Sequence, residues 1–164
     1  MKKILPLILI SSLAFTACSA PKNMNEFYNR YDKQATVIPV PKLALSFAKK
    51  SMGNIKLLEY INSAKIFIIN DAGQGKQNRV IKDLQSATKG ENFDQLVKLN
   101  VKKNNLNVSY SENNGKINQL ILGINGLNNV LVIDSKVNLT KDELENALNN
   151  IDLSDLEGLA DILK

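Results

Sequence analysis

Apolar residues fall into three rhythms along this chain. Behind Lys2 and Lys3 they run almost unbroken from Ile4 to Ala17. From Glu26 to Gly90 they recur mainly at helical spacing, and beyond Gly90 they alternate. In the helical part, Phe27 and Tyr31 stand four apart and predict a short helix from Glu26 to Lys33. "TVIPVPK" reads as extended, because Pro39 and Pro41 each push the preceding residue out of the helical region. Pro41 fits the first turn of a following helix. There Leu43, Phe47 and Lys50, and likewise Ala44, Ala48 and Met52, keep helical spacing up to Gly53. A second short helix around Ile55 to Ile61 leads into "AKIFIIN", a buried strand by its branched and aromatic content. After the glycine turn, a helix from about Lys76 to Thr88 turns Val80, Ile81 and Leu84 inward and stops at Gly90.

The alternating part predicts strands. Val97, Leu99 and Val101 alternate with Lys98, Asn100 and Lys102, and Leu106, Val108 and Tyr110 alternate with Asn107, Ser109 and Ser111. Segments 116–124 and 129–139 are partly apolar on both sides, as central strands are. "KNN", "ENNG" and "NGLNN" are turn compositions, and strands joined by such short loops must pair antiparallel. In "LTKDELENAL", Thr140 with Glu143 three residues later forms the capping-box pattern that opens a helix. The expected fold is α+β: an antiparallel sheet of about five strands with helices packed on one face.

The first rhythm is a targeting segment rather than part of that fold. An apolar run this short does not span a bilayer as a helix of about twenty residues, and a basic start followed by such a run is the form of a secretory signal. It ends in "LAFTACSA", with the protein's single cysteine, Cys18, where a lipoprotein processing site would place it. Cleavage after residue 17 would leave Cys18 as a lipidated N-terminus, and several acyl chains anchor firmly at about 0.8 kcal/mol per buried methylene. Phe15 stands where leucine is usual. The organisation expected is a lipoprotein signal over 1–17, a tether over 18–25, one domain over 26–150 and a closing segment over 151–164. That closing segment, "IDLSDLEGLADILK", carries four acids and one lysine. Leu153, Leu156, Ala160 and Leu163 form a helical stripe in it, suited either to packing on the domain or to docking on a partner.

Composition narrows the chemistry. The formal charge is +5, and loss of Lys2 and Lys3 with the signal leaves +3. Arginine occurs only at Arg30 and Arg79, and there is no tryptophan. Nucleic-acid readers rely on Arg forks and stacked aromatics, so that class is set aside. Histidine is absent, which removes Ser-His-Asp and Cys-His catalysis, and no zinc set can be assembled. No cofactor and no metal is expected. Carboxylates, lysines, tyrosines and hydroxyls remain. Asp142, Glu143 and Glu145 sit where negative charge suits a helix start. Lys49-Lys50 and Lys102-Lys103 are solvated faces or, more weakly, contacts for anionic headgroups. Tyr28, Tyr31, Tyr60 and Tyr110 have no assignable role.

"INDAGQGKQNR" is the one stretch that resembles a phosphate loop. A P-loop needs glycine, four residues, then Gly-Lys and a hydroxyl residue. Here Asn70 holds the first place and Gln77 the last. A dinucleotide fingerprint fails as well, with Asn78 in place of its third glycine. Asp71 and the glycines read as a turn between strand and helix.

"EFYNRY", the passage "VIPVPKLALSFAKK", the strand "INSAKIFIIN" and the run "GLNNVLVIDSKVNLTKDELENAL" together resemble a family of small exported Bacteroidetes proteins. That family is built around the domain of unknown function numbered forty-two fifty-two, and the resemblance spans roughly residues 26–150. It implies signal-peptide or lipoprotein chains carrying this one domain, with no activity, cofactor or catalytic residue attached. The expectation is therefore a non-catalytic cell-envelope lipoprotein. It would be held by lipid, on the periplasmic face of the outer membrane, and serve as a binding or accessory module for an envelope protein partner in maintenance or stress response. The alternative is a small envelope hydrolase or ligand carrier that uses carboxylates or a pocket between helices and sheet.

Overall fold

Alternating, branched segments leave backbone groups that only neighbouring strands can satisfy, and the chain supplies those neighbours in one antiparallel sheet. The computed structural model describes residues 19–51, 56–101, 104–126 and 129–149. In chain order the elements are α1 (Met24–Tyr31), a 3-10 turn (Asp32–Gln34), β1 (Ala35–Val40), α2 (Lys42–Ser51), α3 (Leu57–Tyr60), β2 (Ile61–Ile69), α4 (Gln74–Gly90), β3 (Asp94–Val101), β4 (Asn104–Asn113), β5 (Lys116–Asn125), β6 (Val130–Leu139) and α5 (Lys141–Asn149). The six strands lie in the order β1-β2-β6-β5-β4-β3, every neighbouring pair antiparallel. The fold is α+β.

Two details differ from the expectation. The sheet has six strands because "ATVIPV" pairs with β2, Pro39 facing Lys65. Pro39 is tolerated there because β1 is an edge strand, with no further strand to demand its missing N–H. The helices lie on both faces of the sheet rather than on one. Ile66, Ile68, Leu120, Leu122, Leu131 and Ile133 face a core shared with Leu45, Leu57, Leu144 and Leu148, from α2, α3 and α5. Phe67, Ile69, Ile121, Val130 and Val132, their strand neighbours, face a second core with Phe27 of α1 and Val80, Ile81 and Leu84 of α4. Central strands apolar on both sides need cover on both sides.

The crossover is α4. It carries the chain from β2 to β3 at the far edge, two strands that run in the same direction with three others between them. It packs closely on the sheet at Gly123, where a Cβ would come within 2.6 Å of Leu84 Cδ2. The β4–β5 hairpin turns through Asn114 and Gly115, both at positive φ, as a two-residue primed turn requires. At the start of α5 the capping box forms in both directions: Glu143 N donates to Thr140 Oγ1 at 3.3 Å, and Thr140 N donates to Glu143 Oε2 at 2.7 Å. These bonds hold the Glu143 carboxyl below its ordinary pKa, the backbone bond from Thr140 contributing most.

Candidate functional site

Two carboxylates meet the side chains of α1, the helix that packs beside α4 on the sheet. The first group centres on Asp134 in β6, flanked by the apolar run from Val130 to Ile133. Tyr28 Oη donates to Asp134 Oδ2 at 2.6 Å, and Gln119 Nε2 donates to Asp134 Oδ1 at 2.8 Å. Both carboxylate oxygens are thus engaged. The Tyr28 ring stacks on Phe67 with centroids 4.4 Å apart, and Lys65, opposite Asp134 on β2, places Nζ 5.4 Å from the Tyr28 centroid. Burial, then the charge of Asp134, pushes the Tyr28 phenol far above its ordinary pKa. A phenol so held stays protonated and serves as a donor rather than a base or nucleophile. The group is a cross-link between α1 and the sheet. Tyr28→Phe should keep the stack but remove one donor from a charged acceptor, lowering stability by about 1–2 kcal/mol. Urea unfolding checks this, and an unchanged midpoint would show that the bond contributes nothing.

The second group centres on Asp83 of α4, the only carboxylate in that helix. Tyr31 Oη and Arg30 Nη1 each donate to Asp83 Oδ2 at 2.8 Å. Burial, and next the bond to Asp83, raises the Tyr31 phenol well above its usual value. Arg30 also donates through Nη2 to the carbonyl of Ser19. The segment leading into α1 is tied down along its length. Lys22 N donates to Glu26 Oε2 at 2.8 Å, and Met24 N donates to Glu91 Oε1 at 2.9 Å. Asn23 caps α1 through Glu26 N, also at 2.8 Å. Pro21 and Met24 are buried. The Lys22 carbonyl lies so close to Gly90 that a Cβ there would meet it at 1.9 Å.

The glycine turn is a connection. Asp71, not a glycine, takes the left-handed backbone at φ 49. Gly73 caps α4 with no side-chain bond, and Lys76 Nζ donates to Asn70 O at 3.1 Å. Beside it lies an open groove of about 400 Å³, lined by Lys33, Gln34, Ala35, Thr36, Asn70, Asp71 and Lys76. Asp71 is its one carboxylate, so no pair of carboxylates converges in it.

Of the residues named from the sequence, Cys18 and the stripe Leu153, Leu156, Ala160 and Leu163 lie outside the described residues, as do Lys102 and Lys103. Lys49 and Lys50 fall in α2. Asp142 and Glu145 are exposed on α5 while Glu143 serves as a cap. The two carboxylate groups were not anticipated. Each had a signal: Asp134 interrupts "VLVI" inside a strand, and Asp83 precedes the inward Leu84 on an amphipathic helix. A carboxylate at such a position needs donors, and tyrosines on the inward stripe of α1 are donors within an apolar layer. Among the described residues no group of three or more His, Cys, Asp or Glu could hold a metal ion, and no helix there is long and apolar enough to cross a membrane.

A family model described as a domain of unknown function, DUF4252, matches residues 28–147, more than two thirds of the chain. No curated protein and no solved structure matches it.

Proposed function

The chain belongs to the DUF4252 family, and from that premise we propose that it is a non-catalytic lipoprotein of the cell envelope. In this reading Cys18 carries the lipid, residues 1–17 are removed, and the folded unit serves as an accessory module for an envelope protein on the periplasmic face of the outer membrane. The stripe Leu153, Leu156, Ala160 and Leu163 is the segment assigned to that partner. One observation carries the non-catalytic part: Asp83 and Asp134, the carboxylates held within the α1 layer, are each held by two donors and stitch α1 to its neighbours. A general acid or base has to face substrate, whereas these two carboxylates face tyrosine, arginine and glutamine side chains of the fold itself.

The test is a mass spectrum of the protein purified from native membranes, followed by affinity co-purification with the C-terminal stripe intact. The expected spectrum begins at Cys18 with the mass of a diacylglycerol thioether and an N-acyl chain. The expected co-purified material includes an envelope protein that is lost when Leu153, Leu156 and Leu163 are changed to aspartate. A bare thiol with the leader attached refutes the anchor, and recovery without any envelope protein refutes the partner.

A further inference from the structure

We propose that the outer face of the α1–α4 layer is a docking surface for an anionic phospholipid bilayer. On this view the lipid anchor holds the domain in one fixed orientation instead of on a loose leash. The inference rests on the lipidation of Cys18 proposed above, but its physical basis is the segment that follows.

Residues 19–25 were expected to be a tether, and they are docked. Ser19 is fixed through its carbonyl to Arg30, the same guanidinium that binds Asp83. Three residues on, the Lys22 carbonyl abuts Gly90. Asp83 and Gly90 are two helical turns apart, so the segment runs along about 10 Å of α4. Any group on residue 18 begins one peptide unit, about 3.8 Å between Cα atoms, from a backbone already held against this helix. No slack separates the anchor from the domain.

The α4 side of that seam is basic. Arg79 lies one turn before Asp83, and Ser86 one turn before Gly90. With Lys82 and Lys89 they make one outward face of α4, about 15 Å long, on which Ser86 is half-buried. Arg79, Lys82 and Lys89 are exposed, and none is paired with a carboxylate among the described residues. The helix's only acid, Asp83, is neutralised by Arg30. Lys22 and Lys33 add exposed charge nearby, against Glu26, Asp32 and Glu91. In the opposite layer α5 is acidic, with Asp142, Glu143 and Glu145 beside Lys141, while α2 carries lysines and no acid. Each basic side chain at an anionic surface contributes roughly a fivefold preference. A short anchor makes the contact intramolecular, so such modest preferences decide orientation.

The test uses the full chain processed in its host, purified and reconstituted into vesicles that contain spin-labelled headgroups. A fluorophore is placed at Ser86→Cys or, as the opposite-layer control, at Glu145→Cys, with circular dichroism confirming that each variant is folded. In vesicles of phosphatidylcholine and phosphatidylglycerol, the probe at position 86 should be quenched and that at 145 should not. Quenching at 86 should vanish in phosphatidylcholine alone. It should also vanish in the triple variant Arg79→Glu, Lys82→Glu, Lys89→Glu, whose docked population falls by on the order of a hundredfold or more. Equal quenching at both positions, or quenching that survives the triple variant, overturns the proposal. The mass spectrum of the same preparation reports the anchor separately. A bare Cys18 with position 86 still quenched by anionic vesicles would remove the anchor and leave the surface standing.

Discussion

Phe27→Ala should lower the free energy of unfolding by about 3–5 kcal/mol, as large-to-small changes in packed cores do. Phe27 is 0% exposed. Its ring meets Tyr31 at 5.0 Å and Tyr28 edge-on at 5.8 Å between centroids, and it belongs to the core that Val80, Leu84 and Val132 complete. The cavity left by a phenyl ring in this layer would be flanked by the two tyrosines whose hydroxyls hold Asp134 and Asp83, so collapse to fill it would strain both bonds. That places the cost toward the upper end of the range. Against a total stability of 5–15 kcal/mol for an ordinary domain, the variant should be folded only weakly at room temperature. Leu43→Ala is the control: Leu43 is 73% exposed, and its loss should change stability by no more than about 0.5 kcal/mol. Urea unfolding followed by circular dichroism reads both. A Phe27→Ala midpoint near that of Leu43→Ala would mean that α1 is not part of the cooperative core.

How much of this was legible in the residues depends on what each pattern encodes. The alternating strands from β3 to β6, the turn at Asn114-Gly115 and the Thr140–Glu143 cap follow from local chemistry, and each is where the pattern puts it. The helical part encodes a period but not a phase. Leu43 and Ala44 keep helical spacing, yet Leu45 is the buried side chain of the first turns of α2, because the direction of the sheet relative to that helix is a tertiary fact. "TVIPVPK" reads as extended, but strand pairing is a property of two segments, and nothing local to Pro39 names β2 as its partner. The second helical layer was implicit in strands apolar on both sides. Its consequence, cover on both faces, follows only when those strands are central. The α1 cross-links are legible in part: Asp83 and Asp134 announce themselves as carboxylates at inward positions, while their choice of tyrosine depends on how α1 lies across the sheet. The docking of residues 19–24 had no local signal, since "SAPKNMN" has the composition of a linker. Its one trace is Gly90, which reads equally well as a helix stop.

That glycine supplies the sharpest test of the docked segment. Gly90→Ala should destabilise the protein by about 2–4 kcal/mol, although alanine is the better helix former by about 1 kcal/mol. The sign is decided by the added Cβ, which would sit 1.9 Å from the Lys22 carbonyl oxygen and 2.8 Å from its carbon. Both are backbone atoms and no rotamer change relieves the overlap, so residues 19–22 must lift. Lifting them strains the bonds from Arg30 to Ser19 and from Met24 to Glu91, each worth about 0.5–1.5 kcal/mol or more where charge assists. It also exposes part of Met24, whose full burial is worth about 1.5–3 kcal/mol. Gly75→Ala separates the contact from propensity. Gly75 also lies in α4, and a Cβ there meets nothing within 4 Å, so this variant should be neutral or more stable by up to about 1 kcal/mol. Amide exchange at Met24 reads the event locally: it should quicken in Gly90→Ala and stay unchanged in Gly75→Ala. Equal stability and equal Met24 protection in the two variants would mean that the segment is not clamped against α4. The orientation drawn from that clamp would then have no physical basis.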